Sequence, residues 1–149
     1  MYEEILKKSA LFQVLSSDLI RLISGLCQRE THLPGAELFE VGQPAHYLYL
    51  LERGNVALVI RTEAREEVII ATISTPGEVL AWSALVEPRI LTSSAECLAE
   101  TTLIRLEGQK LEAIFDDHPA EGLAFTRRLT GLIANRLKDT QKRLVNFIS

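Results

Sequence analysis

Thiols and imidazoles are scarce in this chain. Cys27 and Cys97 are its only cysteines and form no CxxC pair, which argues for two buried free thiols rather than a disulfide framework or zinc ribbon. An iron–sulfur sensor would need more thiolates than this. His32, His46 and His118 are scattered without ligand spacing, so no metal site is expected. No nucleophile–base or carboxylate pair emerges, and an enzyme is not expected. Every apolar run is far shorter than a membrane span. The opening Tyr2-Glu3-Glu4 does not read as a secretory signal, so cytoplasmic residence is the expectation. Basic runs are lacking except near the C-terminus. With a net charge of −4 the chain repels nucleic acid at long range, and direct DNA binding is not expected.

What is present is one domain's length of chain with strong punctuation. In Ser17–Cys27 the residues Leu19, Ile20, Leu22, Ile23 and Leu26 recur at helical spacing, with Ser16 or Ser17 as cap. Turn signals then recur at Pro34-Gly35, Gly42-Gln43-Pro44, Arg53-Gly54-Asn55, Pro76-Gly77 and Glu87-Pro88. Between them lie short apolar runs, Tyr47–Leu51, Val56–Ile60, Val68–Ile73 and Thr102–Leu106, the pattern of an antiparallel sandwich or barrel. Charged residues 62–67 read as a solvated hairpin tip. A short helix is expected over 108–115, and Pro119 suits the first position of a long helix reaching about residue 147. On that helix Leu129, Ile133, Leu137, Thr140, Leu144 and Phe147 step by three or four, as in a coiled-coil seam. The seam either packs against a second copy of the chain, the expectation here, or covers the chain's own sheet.

The stretch LPGAELFEVGQPAHYLYLLERGNVAL, residues 33–58, resembles the signature of the cyclic nucleotide-binding domain family, with Gly35, Gly42 and Gly54 at its glycine places. The resemblance extends over nearly the whole chain. It implies a mostly β fold with flanking α: a jelly-roll-like, double-stranded β-roll of eight strands over about 31–107, N-terminal helices, a hinge helix over about 108–115 and a long helix over about 118–147. That last helix resembles the dimer helix of bacterial catabolite-activator and fumarate–nitrate type regulators. Those continue into a winged helix-turn-helix. Here the sequence stops at Ser149, so a separate protein partner is expected to supply any output.

In the family, the ligand lies under a phosphate-binding cassette reading roughly F-G-E-L-A-L, then R-[ST]-A after a short loop. Aligning by the A-L ending places Leu80, Ala81, Trp82, Ser83 and Ala84-Leu85 in the cassette, and Thr92-Ser93-Ser94 at R-[ST]-A. Gly77-Glu78 then falls in the turn before it. The family's Glu, which accepts the ribose hydroxyl, is Trp82 here, and its phosphate-binding Arg is Thr92. Trp82 either plugs the vacated space or stacks on a different ligand. Thr92, Ser93 and Ser94 are either ordinary strand-start residues or hydrogen-bonding groups for a weakly charged ligand. Arg89, three residues before Thr92, is the one replacement cation in reach if its loop folds inward. Arg136 and Thr140 match places where the catabolite-activator dimer helix approaches the ligand's base.

These readings leave three functions open. The first is a dimeric, non-enzymatic sensor holding an atypical small ligand or none. The second is a genuine cAMP or cGMP binder using Arg89. The third is a partner-binding domain whose pocket Trp82 closes.

Overall fold

The computed structural model describes residues 1–149. Two short helices open the chain: α1, Glu3–Lys8, and α2, Ser17–Ser24. Ser16 caps α2, its hydroxyl accepting from the Leu19 amide at 3.2 Å. Eight strands follow: β1 Gln28–His32, β2 Glu37–Phe39, β3 Tyr47–Arg53, β4 Val56–Arg61, β5 Glu67–Ile73, β6 Val79–Leu80, β7 Ser94–Cys97 and β8 Thr101–Glu107. They form two four-stranded antiparallel sheets, ordered β1-β8-β3-β6 and β2-β7-β4-β5. A 3-10 helix, Trp82–Leu85, interrupts the strands after β6. Two helices close the chain, α3 over Gly108–Asp117 and α4 over Pro119–Ile148.

Alternation along the central strands divides the interior in two. Leu48 and Leu50 of β3 and Ile104 and Leu106 of β8 face the helical layer, with Leu6, Phe12, Leu19, Ile20, Leu111 and Phe125. Leu51 of β3 and Leu103 of β8 face into the roll, with Val56, Leu58, Ile73, Leu80 and Ala95. The first sheet is therefore buried on both faces at its centre, with Leu48, Leu50 and Leu51 of β3 and Thr101 to Ile104 of β8 all buried.

The helical layer is stitched across long sequence distances. Phe12 meets Phe125 edge-on at 5.1 Å, and Phe115 meets Phe125 at 4.6 Å. Glu121, in the first turn of α4 where a carboxylate favours the helix start, accepts from the Ser16 amide at 2.6 Å and ties α4 to the cap of α2. Cys27 and Cys97 are buried free thiols, and burial pushes the Cys27 thiol up to about 12.

Several boundaries differ from expectation. The roll begins at Gln28 rather than about 31, because β1 pairs with β8 from Gln28 opposite Arg105. The hinge helix runs on to Asp117. On α4, Leu129 is buried in the chain's own core and Ile133 packs against it. The first part of the expected seam thus covers its own domain, because α4 crosses α3 and the N-terminal helices before it overhangs. Beyond Thr140 every residue of α4 is exposed.

Candidate functional site

A cavity of about 400 Å3 lies between the roll and α4. Leu80, Ala81, Trp82 and Ser83 form one wall, Thr92 and Ser93 another, and Ile133, Arg136, Leu137 and Thr140 of α4 lie over them. The cassette residues read from the sequence are thus brought together with the two α4 positions. Ala81, at the cassette place aligned with the family's glycine, has a left-handed φ of 62°, which alanine adopts only at a cost of roughly 1 kcal/mol or more. Gly77 and Glu78 occupy the turn before β6, where the Glu78 carboxylate accepts from the Ser74 and Thr75 amides at 3.2 and 2.8 Å.

Trp82 does not fill the roll. It stands half-buried in the cavity wall with its ring 4.8 Å from the Arg136 guanidinium, a cation–π arrangement. A pocket closed by Trp82 is not what the geometry contains. Thr140 lines the cavity, but its hydroxyl donates to the Arg136 carbonyl at 2.9 Å, one turn back on its own helix. Ile133 and Leu137, read as interface positions, are also cavity wall.

Three expected residues lie elsewhere. Ala84 is buried against Ala45 and Leu91. Ser94 opens β7, and its hydroxyl accepts from the Val41 amide at 3.0 Å. Arg89 turns away from the cavity. Its guanidinium donates to the Ala84 carbonyl at 3.1 Å and meets both oxygens of Glu112 on α3 at 2.8 Å, with Glu87 at 3.1 Å. These carboxylates raise its pKa and leave no free charge for a ligand. Arg89 is instead a strut between the end of the cassette and α3. A second contact runs beside it: a Cβ on Gly108, the first residue of α3, would stand 2.6 Å from the Ala84 carbonyl oxygen. We expect Arg89→Ala to leave affinity for any cavity ligand within about twofold, as for a residue that touches no ligand. Amide exchange in α3 should quicken as the strut is lost. A large loss of affinity in calorimetry would return Arg89 to the binding site.

The remaining wall had no signal in the sequence. Phe39, Leu58, Ile60, Ile70, Val79 and Leu91 line the cavity, but in a strand an apolar side chain facing a cavity is written like one facing a core. Arg136 is the cavity's only charged group. Burial pulls its pKa below the ordinary value, and the Glu78 and Asp139 carboxylates offset this only from a distance.

Known proteins share this fold. A family model described as the cyclic nucleotide-binding domain matches residues 29–118, and the chain belongs to that family. It is 25% identical over 147 residues to a CRP-like cAMP-activated global transcriptional regulator of Mycobacterium tuberculosis, covering 98% of this chain and 63% of that protein. The crystal structure of the Thermus thermophilus catabolite activator protein superposes with a TM-score of 0.76 at 25% identity, over 93% of this chain and 63% of that one. The sensor domain of the transcriptional regulator DNR from Pseudomonas aeruginosa gives a TM-score of 0.77 at 20% identity, over 92% and 91% of the two chains, and shows the shared fold. The chain thus spans under two thirds of its curated relative's length. Its family and fold are those of regulatory domains, and no helix is long and apolar enough to cross a membrane.

Proposed function

We propose that this chain is a sensor module in which filling the roll cavity repositions α4, that the module acts as a homodimer through the exposed end of α4, and that its ligand is not a cyclic nucleotide held in the usual manner. The observation that carries this reading is the composition of one cavity. Its floor is the cassette, its roof is α4, and Thr92, which by the sequence alignment takes the place of the family's phosphate-binding Arg, lies in its wall. A cyclic phosphate seated against the cassette would meet no cation of the roll, the cavity's one cation being Arg136 on α4, and unpaired there it would keep its charge at a cost of several kcal/mol in lost hydration.

Coupling follows from shared walls. A ligand that touches both Trp82 and Leu137 binds one placement of α4 better than another and shifts the balance between them. The Arg89–Glu112 strut and the Gly108 contact add a path from the cassette to α3. The output belongs to a protein partner that reads the rearranged dimer surface, and transcriptional control of the kind named for the mycobacterial relative would pass through that partner.

That relative's name makes cAMP the first ligand to test, with cGMP beside it. Trp82 is the only tryptophan and stands in the cavity wall, so its fluorescence reports occupancy directly. We expect no saturable change with either nucleotide below the millimolar range, with calorimetry as the check. Saturable binding at micromolar concentration would sink the degenerate-cassette reading and establish a cyclic nucleotide sensor with a rebuilt grip.

A further inference from the structure

Arg136 is an unusual residue to find on the roof of an apolar cavity. Its guanidinium carbon lies over the Trp82 ring, 4.8 Å from the centroid, and the group makes no hydrogen bond or ion pair. The carboxylates nearby do not neutralise it. Glu78 is engaged by the amides of its own turn, and Asp139 acts only at a distance. Two further cations lie close. Arg143 donates to the Ile69 carbonyl, and Lys8 shares a neighbouring cleft with Arg136. A cation–π contact with an indole ring does not use up the N–H donors of a guanidinium, and none of those on Arg136 has a hydrogen-bond partner. A partly desolvated cation with open donors is the half of an ion pair that a ligand can complete.

The rest of the wall restricts what that ligand can be. Phe39, Leu58, Ile60, Ile70, Leu91 and Leu137 are aliphatic or aromatic, and hydroxyls come only from Ser83, Thr92, Ser93 and the already engaged Thr140. A sugar deep in this space would lose hydration without repayment, and a phosphate would be repaid only through Arg136. A neutral apolar molecule would fill the space yet bury Arg136 further without a partner. The volume, about 400 Å3, falls toward the lower end of the range that small-molecule sites occupy.

We propose that the cavity takes an amphipathic monoanion, with its apolar body in the roll and its carboxylate paired with Arg136; this rests on the sensor reading above and names the ligand class. Trp82 then orients the guanidinium, and Arg136 carries the ligand's charge onto α4, the element that sensing must move.

The test uses the full chain and three matched probes: decanoate, decanol and decylamine, each kept below its aggregation concentration. Trp82 fluorescence gives affinity, and calorimetry checks for one molecule per chain. Decanoate should bind at least about tenfold more tightly than decanol, the worth of a charged hydrogen bond, and decylamine should bind worst. Arg136→Gln should erase the preference for decanoate while leaving decanol within about twofold. Arg136→Lys should retain part of it, since lysine keeps the charge but loses the planar fork. Equal binding of decanoate and decanol, or an unchanged preference in Arg136→Gln, overturns the proposal. So does silence from decanoate where cAMP or cGMP binds, an outcome that leaves sensing intact. Decanoate binding through Arg136 without any change in α4 amide exchange or dimer state supports the ligand class and defeats the sensor reading instead.

Discussion

Gly54→Ala should lower the melting temperature by about 10 °C, the equivalent of about 3 kcal/mol in a chain of this size. Gly54 sits in the turn between β3 and β4 with φ at 116°, a conformation that alanine reaches only with strain of roughly 1–3 kcal/mol. Crowding compounds the strain. An added Cβ would stand 2.5 Å from the Thr101 hydroxyl, 2.6 Å from its Cα and 2.8 Å from the Glu100 carbonyl oxygen. Those atoms cannot withdraw easily. The Thr101 hydroxyl accepts from the Asn55 amide at 3.3 Å, and the Leu98 amide donates to the Asn55 carbonyl at 2.8 Å. Moving the 98–101 turn would break the bonds that join the two sheets at this end. Gly35→Ala is the control, since Gly35 also has a positive φ of 86° but its Cβ would meet nothing within 4 Å. It should cost only the strain, about 1 kcal/mol. Equal losses in the two variants by thermal denaturation would mean that the packing of the turn contributes nothing.

Leu144→Glu together with Phe147→Glu should weaken self-association by about a hundredfold or more. The end of α4 carries Leu144 at 58% exposure, Val145 at 57%, Phe147 at 83% and Ile148 at 72%, beyond the point where the domain's own core reaches it. Its thirty residues span about 45 Å, longer than the packed part of the domain can cover. Burying one such side chain against a second copy contributes about 1.5–3 kcal/mol, and each variant chain loses two of them. Neither residue lines the cavity, so ligand binding within one chain should survive, which separates association from sensing. Analytical ultracentrifugation across a concentration series decides the matter. A wild-type chain that remains monomeric at high concentration would remove the dimer, and an unchanged dimer in the double variant would place its interface elsewhere.

How much of this was legible in the sequence differs from element to element. Strands β3, β4, β5 and β8 announced themselves because they are long and rich in apolar and β-branched residues. Strand β1, Gln28-Arg29-Glu30-Thr31-His32, did not. It is an edge strand largely exposed to water, and its place is set by pairing with β8 and by side-chain bridges such as Arg29 to Glu52 at 2.9 Å. Strand β6 has two residues and no pattern of its own. The cassette could be located because its residues are contiguous in the chain. The proposed departures from the family pattern at Trp82 and Thr92 rest on the same contiguity.

The residues of α4 show the limit most clearly. A repeat of apolar positions states that a helix has a sticky face, but not against what. Leu129 finds its own core, Ile133 and Leu137 roof a cavity, and Leu144 and Phe147 meet water, all on one continuous stripe. Arg89 shows the same for charge. Its sequence neighbourhood offered it to the ligand, and Glu112, which is remote in the chain, captured it.

The sequence by itself determined the family and the two-sheet roll, because glycine turns and strand periodicity are local properties of a chain. Only the tertiary structure decided that Arg136 stands over Trp82 while Arg89 faces α3, because the destination of a long charged side chain depends on which partner the folded backbone brings within reach.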